Sequence, residues 1–214
     1  MKDFTDITIL LDRSQSMGSF GGEVVGTLND FIAQQKEAGD NARLTLVQFD
    51  SVSIETIRDA VPINEVTALG TNEFQPRGCT PLLDALGQTI ARTGERLKGI
   101  AETDRPDKVV FVVFTDGFEN ASVEFKKEAV NKMIGVQESV YKWQFVYLGA
   151  NQDAFLEAAA LGMAVANAAT YTATGAGLKL AGQIVADNLV SYRGGRSTSM
   201  SFNTEQQEKL KRGS

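Results

Sequence analysis

Two short runs of almost continuous hydrophobic residues stand out along the chain. Residues 7–11 (ITILL) end at Asp12, and residues 109–114 (VVFVVF) end two positions before Asp116. Both runs are rich in β-branched or aromatic residues, as is typical of strands that are covered on both faces in a parallel sheet. We therefore predict two buried parallel strands, each followed closely by an aspartate.

Segments with helical spacing alternate with these strands and with further ones. Hydrophobic positions recur every three or four residues in the predicted helices, which cover about residues 23–39, 80–97, 122–136, 152–161 and 177–192. The remaining predicted strands are residues 43–49 and 52–57, which form a hairpin, and residues 144–148 and 165–171. This alternation predicts an α/β fold with a doubly wound, mostly parallel sheet, one antiparallel edge strand and helices on both faces.

The length of the chain predicts one domain. Its 214 residues match the usual size of a single folded unit. We place this domain at residues 1–193. Residues 194–214 are rich in Gly, Ser, Gln and Lys, and we predict that they form a flexible C-terminal tail.

The composition excludes several classes of catalytic and metal site. The chain has no histidine, which excludes Ser-His-Asp and Cys-His catalysis and the histidine-based zinc and iron sites. Cys79 is the only cysteine, which excludes an intramolecular disulfide and a multi-cysteine metal site. We expect this thiol to be a small buried apolar group rather than a redox centre.

The charge balance and the hydropathy bear on partners and location. The chain has 27 acidic and 21 basic residues, for a net charge of −6. Because no basic stripe is present to neutralise a phosphate backbone, we expect no nucleic-acid partner. No hydrophobic run approaches the ~20 residues of a membrane-spanning helix, and the start of the sequence lacks the apolar stretch of a signal peptide. We therefore expect a soluble cytoplasmic protein with no membrane partner.

Oxygen-bearing side chains gather at the predicted carboxyl edge of the sheet. Alternate side chains of an extended loop point the same way, so Asp12, Ser14 and Ser16 can present three oxygens to one point. Thr80, at the start of a predicted helix, and Asp116, after the second buried strand, can add two more. All are hard oxygen donors, which favour Mg²⁺, Mn²⁺ or Ca²⁺ over zinc, copper or iron.

The charge of this ligand set predicts an incomplete coordination shell. Two carboxylates neutralise a divalent cation, and three hydroxyls add no charge. Closed calcium cages normally supply more carboxylates and carbonyls than this. A cation held in this way stays electrophilic and keeps one coordination position, which a carboxylate from a partner's Asp or Glu can occupy.

The same residues resemble a known motif. Asp12-x-Ser14-x-Ser16 after a hydrophobic strand, Thr80 in GCTPL and Asp116 in FTDG resemble the metal-ion-dependent adhesion site of the von Willebrand factor A domain, at all five of its positions. The resemblance implies a Rossmann-like domain that binds Mg²⁺ and recruits a protein partner through the metal. It also implies that the hydroxyls bind the metal directly and that the aspartates bind it directly or through water. The lack of disulfides fits the cytoplasmic bacterial or phage members of that family.

Each of the five residues also has a simpler explanation when it is taken alone. Ser14 or Ser16 could be a helix N-cap or a loop residue, and Thr80 before a proline is itself an N-cap candidate. Asp116, which precedes a glycine, could belong to a turn. The occurrence of all five in this order and on these predicted elements favours the metal site.

The neighbours of the five residues leave two interpretations open. Arg13 and Arg77 could grip the carboxylate of a partner, or they could be solvated surface charges. Met17, Phe20 and Phe118 could form an apolar rim around the metal for partner contact, or they could be ordinary packing residues.

The leading functional hypothesis is a metal-dependent protein-binding module without catalysis of its own. One alternative is a Mg²⁺-dependent phosphatase or phosphotransferase with Asp12 as nucleophile, since haloacid-dehalogenase-like enzymes also place an aspartate after a strand. Those enzymes have a second aspartate two positions later as the acid/base, whereas this chain has Ser14. Another alternative is a structural subunit of a larger assembly.

Overall fold

A mixed sheet forms the centre of the structure, a computed structural model that describes residues 3–150 and 153–213. The strands of this sheet are β1 (Thr5–Asp12), β2 (Ala42–Phe49), β3 (Ile54–Pro62), β4 (Lys108–Thr115), β5 (Gln144–Ala150) and β6 (Ala168–Tyr171). Their order across the sheet is β3-β2-β1-β4-β5-β6. Neighbouring strands are parallel except for β2 and β3, which form the antiparallel hairpin at one edge.

Helices cover both faces of this sheet. They are α1 (Glu23–Glu37), α2 (Leu82–Lys98), α3 (Lys127–Ser139), α4 (Ala154–Ala160), α5 (Gly175–Arg193) and α6 (Thr204–Arg212). One hydrophobic cluster joins α1, α5 and α6 to one face, and a second joins α2, α3 and α4 to the other. The predicted fold class, an α/β fold with a doubly wound and mostly parallel sheet, is confirmed. Within the described residues, no helix has the length and apolar character needed to cross a membrane.

The two hydrophobic runs form the central strands β1 and β4. Their successive side chains point into two different hydrophobic clusters, which explains why the runs are almost continuously apolar. In β1, Ile9 and Leu11 belong to the first cluster, whereas Leu10 belongs to the second. In β4, Val112 faces the first cluster and Val113 the second. Successive side chains of a strand point to opposite faces, so a strand buried on both faces needs an apolar residue at almost every position.

β1 and β4 are neighbours, and their carboxyl ends meet at the point where the winding of the sheet reverses. The pairing is parallel, with Leu11 opposite Phe114. From β1 the chain winds outward to β2, and after α2 it returns to β4 on the other side. Side chains that follow β1 and β4 therefore lie at the edge where open α/β sheets bind ligands.

Some helix boundaries differ from the predicted ones. α2 has Pro81 rather than Thr80 at its N-cap position, without a side-chain capping bond. α3 begins at Lys127 rather than near residue 122, because the backbone N–H groups before it donate hydrogen bonds to a side chain of α2. The side chain of Asp84, in the first turn of α2, accepts hydrogen bonds from the backbone N–H groups of residues 123–125. The predicted start of the fourth helix, at residue 152, lies outside the described residues.

The segment after residue 193 contains ordered secondary structure. It forms α6, which begins with a capping box between Asn203 and Gln206. Leu210 of this helix is fully buried in the first cluster, as is Met200 before it. The backbone N–H of Phe202 donates to a carbonyl just before β6. The boundary of the domain at residue 193 stays a prediction, but these contacts argue for a C-terminal segment that packs on the domain.

We predict that Leu210→Ala lowers the free energy of unfolding by about 2–4 kcal/mol, because it removes a fully buried side chain and leaves a cavity. Urea unfolding followed by circular dichroism measures this change. Leu156→Ala, at a leucine of α4 that is 66% exposed, is the matched control and should change stability little. Equal stability of Leu210→Ala and the wild type would show that residues 194–213 are a loose tail.

Candidate metal centre

The loop after β1 brings two of the five oxygens together. The backbone N–H of Ser14 donates to Oδ1 of Asp12 over 2.7 Å, which turns the chain sharply at the end of the strand. A 3₁₀ turn, Gln15–Phe20, follows, and the hydroxyls of Ser14 and Ser16 lie 3.2 Å apart. Ser14 occupies the N-cap position of this turn, but its hydroxyl makes no capping bond. The loop therefore directs the Ser14 hydroxyl towards Ser16 and not to the backbone.

Hydrogen bonds join this loop to the end of β4. The hydroxyl of Ser16 donates to Oδ1 of Asp116 over 2.7 Å. The hydroxyl of Thr115 donates to Oδ2 of Asp12 over 2.6 Å. Asp12, Ser14, Ser16 and Asp116 thus form a connected set of oxygens across the ends of β1 and β4.

The Thr80 hydroxyl lies close to the Asp116 loop, the segment that begins at Asp116 after β4. A Cβ atom at Gly117 would lie 3.2 Å from Oγ1 of Thr80 and 3.9 Å from Oγ of Ser16. Both hydroxyls therefore approach the glycine that follows Asp116, and a larger residue there would crowd them. The structure thus brings all five predicted residues to one edge of the sheet, and their role as metal ligands stays a prediction.

Asn120 holds the Thr80 backbone against the Asp116 loop. Its side-chain oxygen accepts from the backbone N–H of Thr80 over 2.8 Å, and its own N–H donates to the Thr80 carbonyl over 3.1 Å. Sequence analysis missed this residue, because a loop asparagine carries no signal of its partner 40 positions away.

In the part of the chain that the structure describes, the two carboxylates are not paired with a cationic side chain. Asp12 is completely buried, and this burial, with a smaller contribution from the charge of Asp116, raises the pKa of Asp12 to about 6. Burial also raises the pKa of Asp116 above its usual value. Among residues 3–150 and 153–213, no Lys or Arg forms a salt bridge with either carboxylate.

These features fit a bound divalent cation. A cation between the carboxylates would offset the burial, and the smaller repulsion from Asp116, that raise the pKa of Asp12. The described residues contain no group of three or more Asp, Glu, His or Cys side chains suited to a metal, so a cation here would depend on the hydroxyls of Ser14, Ser16 and Thr80. A small hard cation tolerates such neutral oxygen ligands.

Tyr171 supports the centre from below and was also missed by sequence analysis. It is fully buried at the end of β6, and its hydroxyl donates to the backbone carbonyl of Thr115 over 3.2 Å. Burial, together with the nearby Asp116 and Asp12 charges, raises the pKa of the Tyr171 hydroxyl well above its usual value. Tyr171 therefore stays neutral and holds the end of β4, directly before Asp116.

The structure corrects two expectations about neighbouring residues. Arg13 is buried and pairs with Asp50, with 2.7 Å between Nε and Oδ2, and Arg77 binds the same carboxylate over 3.0 Å. Arg13 is therefore neither a solvated charge nor available to a partner, and Arg77 is already paired. Cys79 is exposed rather than buried, because its loop lies on the surface against the β2–β3 turn.

The three apolar residues near the centre separate into packing and exposed positions. Met17 and Phe20 are buried in the first hydrophobic cluster, so they are packing residues. Phe118 is 56% exposed, and Val123, further along the same loop, is 85% exposed. The exposed apolar surface beside the centre is therefore carried by the Asp116 loop.

Comparison with solved structures identifies the fold. The chain is similar to proximal thread matrix protein 1 from the mussel byssus, with a TM-score of 0.60 and 17% identity over 86% of this chain and 47% of that one. It is also similar to a von Willebrand factor type A structure from Catenulispora acidiphila, with a TM-score of 0.58 and 14% identity over 88% of this chain and 43% of that one. The SpRpn10 VWA domain matches with a TM-score of 0.50 and 12% identity over 94% of this chain and all of that one.

These likenesses show that the chain has the von Willebrand factor A fold. The chain spans less than half of the mussel and Catenulispora structures. No protein-family model and no curated protein matches the sequence. One structure of the mussel protein, at a TM-score of 0.59 and 17% identity, has a zinc-occupied MIDAS motif, the metal-ion-dependent adhesion site of that protein.

We predict that Asp12 makes the metal-free protein less stable as the pH rises. Its pKa is about 6 in the folded chain against an ordinary 3.8, so the folded state retains the proton between these values and the unfolded state does not. The resulting stability is present below pH 3.8 and is lost as the pH rises through 6. The difference between these two pKa values corresponds to about 3 kcal/mol in the free energy of unfolding.

Asp12→Asn removes this dependence, because the amide stays neutral. In chelator, the free energy of unfolding of Asp12→Asn should therefore rise relative to that of the wild type between pH 4 and pH 8. Asp30→Asn, at an exposed aspartate of α1, is the control and should run parallel to the wild type. A constant difference between Asp12→Asn and the wild type over this range would contradict the assignment.

Proposed function

We propose that this protein is a divalent-metal-dependent protein-binding module with no catalytic activity of its own. The observation that carries the proposal is that oxygen-bearing side chains converge at one edge of the sheet, where neither carboxylate forms a salt bridge with a described residue. These side chains belong to Asp12, Ser14, Ser16, Thr80 and Asp116. The Ser16 side of this centre is exposed, so a protein surface can reach it.

The residues present define how the cation would be held. Hydroxyls of Ser14, Ser16 and Thr80 would bind it directly, and the carboxylates of Asp12 and Asp116 would bind it directly or through water. Mg²⁺ is the proposed ion, with Mn²⁺ or Ca²⁺ as substitutes, because all five donors are hard oxygens. The bound cation supplies an electrophilic position for an external anionic ligand.

We propose that this ligand is the carboxylate of an Asp or Glu from a protein partner. Two carboxylates balance the charge of a divalent cation, so the loaded centre is close to neutral and can accept one further acid. The exposed Phe118, two positions after Asp116, favours a protein partner over a free small acid, because exposed apolar residues are typical of contact surfaces. The zinc-occupied MIDAS of the mussel protein supports a metal at the equivalent edge of this fold.

The enzymatic alternative lacks a supporting observation. A phosphatase that used Asp12 as nucleophile would need an acid/base two positions later, and the Ser14 hydroxyl cannot transfer protons in that way near neutral pH. We propose a cytoplasmic protein related to bacterial or phage members of the fold, with no nucleic-acid partner. The net charge of −6 supports the second statement, and the free thiol of Cys79 supports a reducing compartment.

We predict that the wild type binds Mn²⁺ and Mg²⁺ and that Thr80→Ala weakens this binding at least ~10-fold, since it removes one ligand of the cation. Isothermal titration calorimetry measures the affinity. Saturating Mg²⁺, at 100 times the dissociation constant, should also stabilise the wild type by about 2.7 kcal/mol. Thr89→Ala, at a buried threonine further along α2, is the matched control and should bind Mn²⁺ as the wild type does.

We predict that partner capture depends on the metal. The immobilised protein should retain a partner from lysate in Mg²⁺, release it in EDTA and regain it with Mn²⁺. Asp12→Ala and Thr80→Ala should capture nothing under any of these conditions. Retention of the same partner in EDTA, or by either variant, would refute recognition through the metal.

A further inference from the structure

A buried ionic network lies beside the candidate metal centre and is separate from its ligands. Its hub is Asp50, whose side chain is completely inaccessible to solvent in the turn between β2 and β3. Oδ1 of Asp50 accepts from the backbone N–H groups of Val52 and Ser53, over 2.7 and 3.0 Å. Oδ2 accepts from Nε of Arg13 over 2.7 Å and from Nε of Arg77 over 3.0 Å. Burial alone would raise the pKa of Asp50, but these four hydrogen bonds outweigh it and hold the pKa below its usual value, so the carboxylate stays ionised.

The two arginines come from the two loops that carry the hydroxyl ligands. Arg13 stands between Asp12 and Ser14, and its side chain points away from them. Arg77 stands three positions before Thr80. The buried carboxylate of Asp50 therefore binds both the serine loop, residues 13–16, and the threonine loop, residues 77–80.

Backbone hydrogen bonds join the same two loops directly. The N–H of Arg77 donates to the carbonyl of Arg13 over 2.9 Å, and the N–H of Gln15 donates to the carbonyl of Gly78 over 3.1 Å. Gly78 has a φ of 66°, and a Cβ atom there would lie 2.5 Å from the hydroxyl of Ser51. The threonine loop thus lies in close contact with the β2–β3 turn, at a position that excludes a side chain.

A second layer of contacts fixes the orientation of the guanidinium groups. Oγ of Ser53 accepts from Nη2 of both Arg13 and Arg77, over 3.0 and 2.9 Å. The carboxylate of Glu55 lies 3.2 Å from Nη1 of Arg13 and 3.4 Å from Nη2 of Arg77. Two arginines and two carboxylates give this network no net charge, so its main effect on the nearby centre is positional.

We infer that Asp50, Arg13 and Arg77 are positioning residues that set the separation between the Ser14/Ser16 hydroxyls and the Thr80 hydroxyl before a cation binds. This inference rests on the proposed metal-binding function. None of the three is a proposed ligand. Because preorganised ligands bind a cation without first being ordered, loosening the threonine loop lowers affinity even though every ligand is retained.

The sign of the effect distinguishes positioning from simple electrostatics. Arg77 is a positive charge near a cation site, so its neutralisation should strengthen cation binding if charge alone mattered. If Arg77 instead holds the Thr80 loop in place, its neutralisation should weaken binding. Arg77 is also the suitable residue to change, since its side chain is 43% exposed and its loss leaves the Arg13–Asp50 pair intact.

The test compares Arg77→Gln with Arg92→Gln in Mn²⁺ titrations of the full chain. Arg92 is an exposed arginine of α2 that also pairs with a residue of β3, over 2.7 Å to Asp59, and its other described side-chain hydrogen bond is to Thr56, also of β3. We expect Arg77→Gln to lower Mn²⁺ affinity by ~10-fold or more and Arg92→Gln to leave it within about twofold of the wild type. Arg77→Lys, which retains the charge but not the planar fork, should give an intermediate affinity.

Hydrogen exchange of the metal-free chain gives a readout that does not depend on the metal. The amides of Gln15 and of residues 77–80 should exchange faster in Arg77→Gln than in the wild type, with unchanged exchange in β4 and β5. Unchanged or tighter Mn²⁺ binding by Arg77→Gln would overturn the inference, whatever its exchange rates. A wild type that binds no divalent cation would overturn the proposed function, and the inference with it.

Discussion

The meeting of two carboxylates at the ends of neighbouring parallel strands is the constraint on which this structure depends. Asp12 is the last residue of β1 and Asp116 directly follows β4, and these neighbouring strands are buried on both faces, so the core fixes where both aspartates lie. Their donors among the described residues are neutral and include the hydroxyls of Thr115 and Ser16 and the backbone N–H of Ser14. Burial therefore disfavours negative charge at this edge of the sheet, and a bound cation would relieve that cost.

A comparison of four carboxylates near this edge separates structural roles from the proposed functional one. Asp84 accepts hydrogen bonds from three backbone N–H groups. Asp50 accepts hydrogen bonds from two backbone N–H groups and from two guanidinium groups. These two aspartates hold the loops that surround the centre. Asp12 and Asp116 have fewer donors and raised pKa values, whereas the pKa of Asp50 is lowered. The carboxylates that hold the loops are thus different groups from those proposed to bind the cation.

The parts of the structure that depend on local pattern could be predicted from sequence. The buried strands, the hairpin and the aspartates at the strand ends follow from hydrophobic runs and from the geometry of parallel sheets, whereas the structure establishes that β1 and β4 are neighbours. The parts that depend on long-range partners could not. The environment of Arg13 is set by a turn 37 positions away, and the late start of α3 is set by Asp84 on another helix. A nine-residue α6 with a single buried leucine carries too weak a periodicity to distinguish it from a tail.

The proposed ligands include both neutral hydroxyls and charged carboxylates, and this difference affects partner recognition. Because three of the five proposed ligands are neutral, their number fixes the geometry of the centre without adding charge, and the two aspartates alone determine its electrostatic balance. A third carboxylate from the chain itself would close the centre and repel an external acid. In the proposed centre the last coordination position would be left to a partner, and charge alone would accept any acidic side chain there. Selectivity among acidic partners would then come from the surrounding surface, where Phe118 is exposed two positions after Asp116.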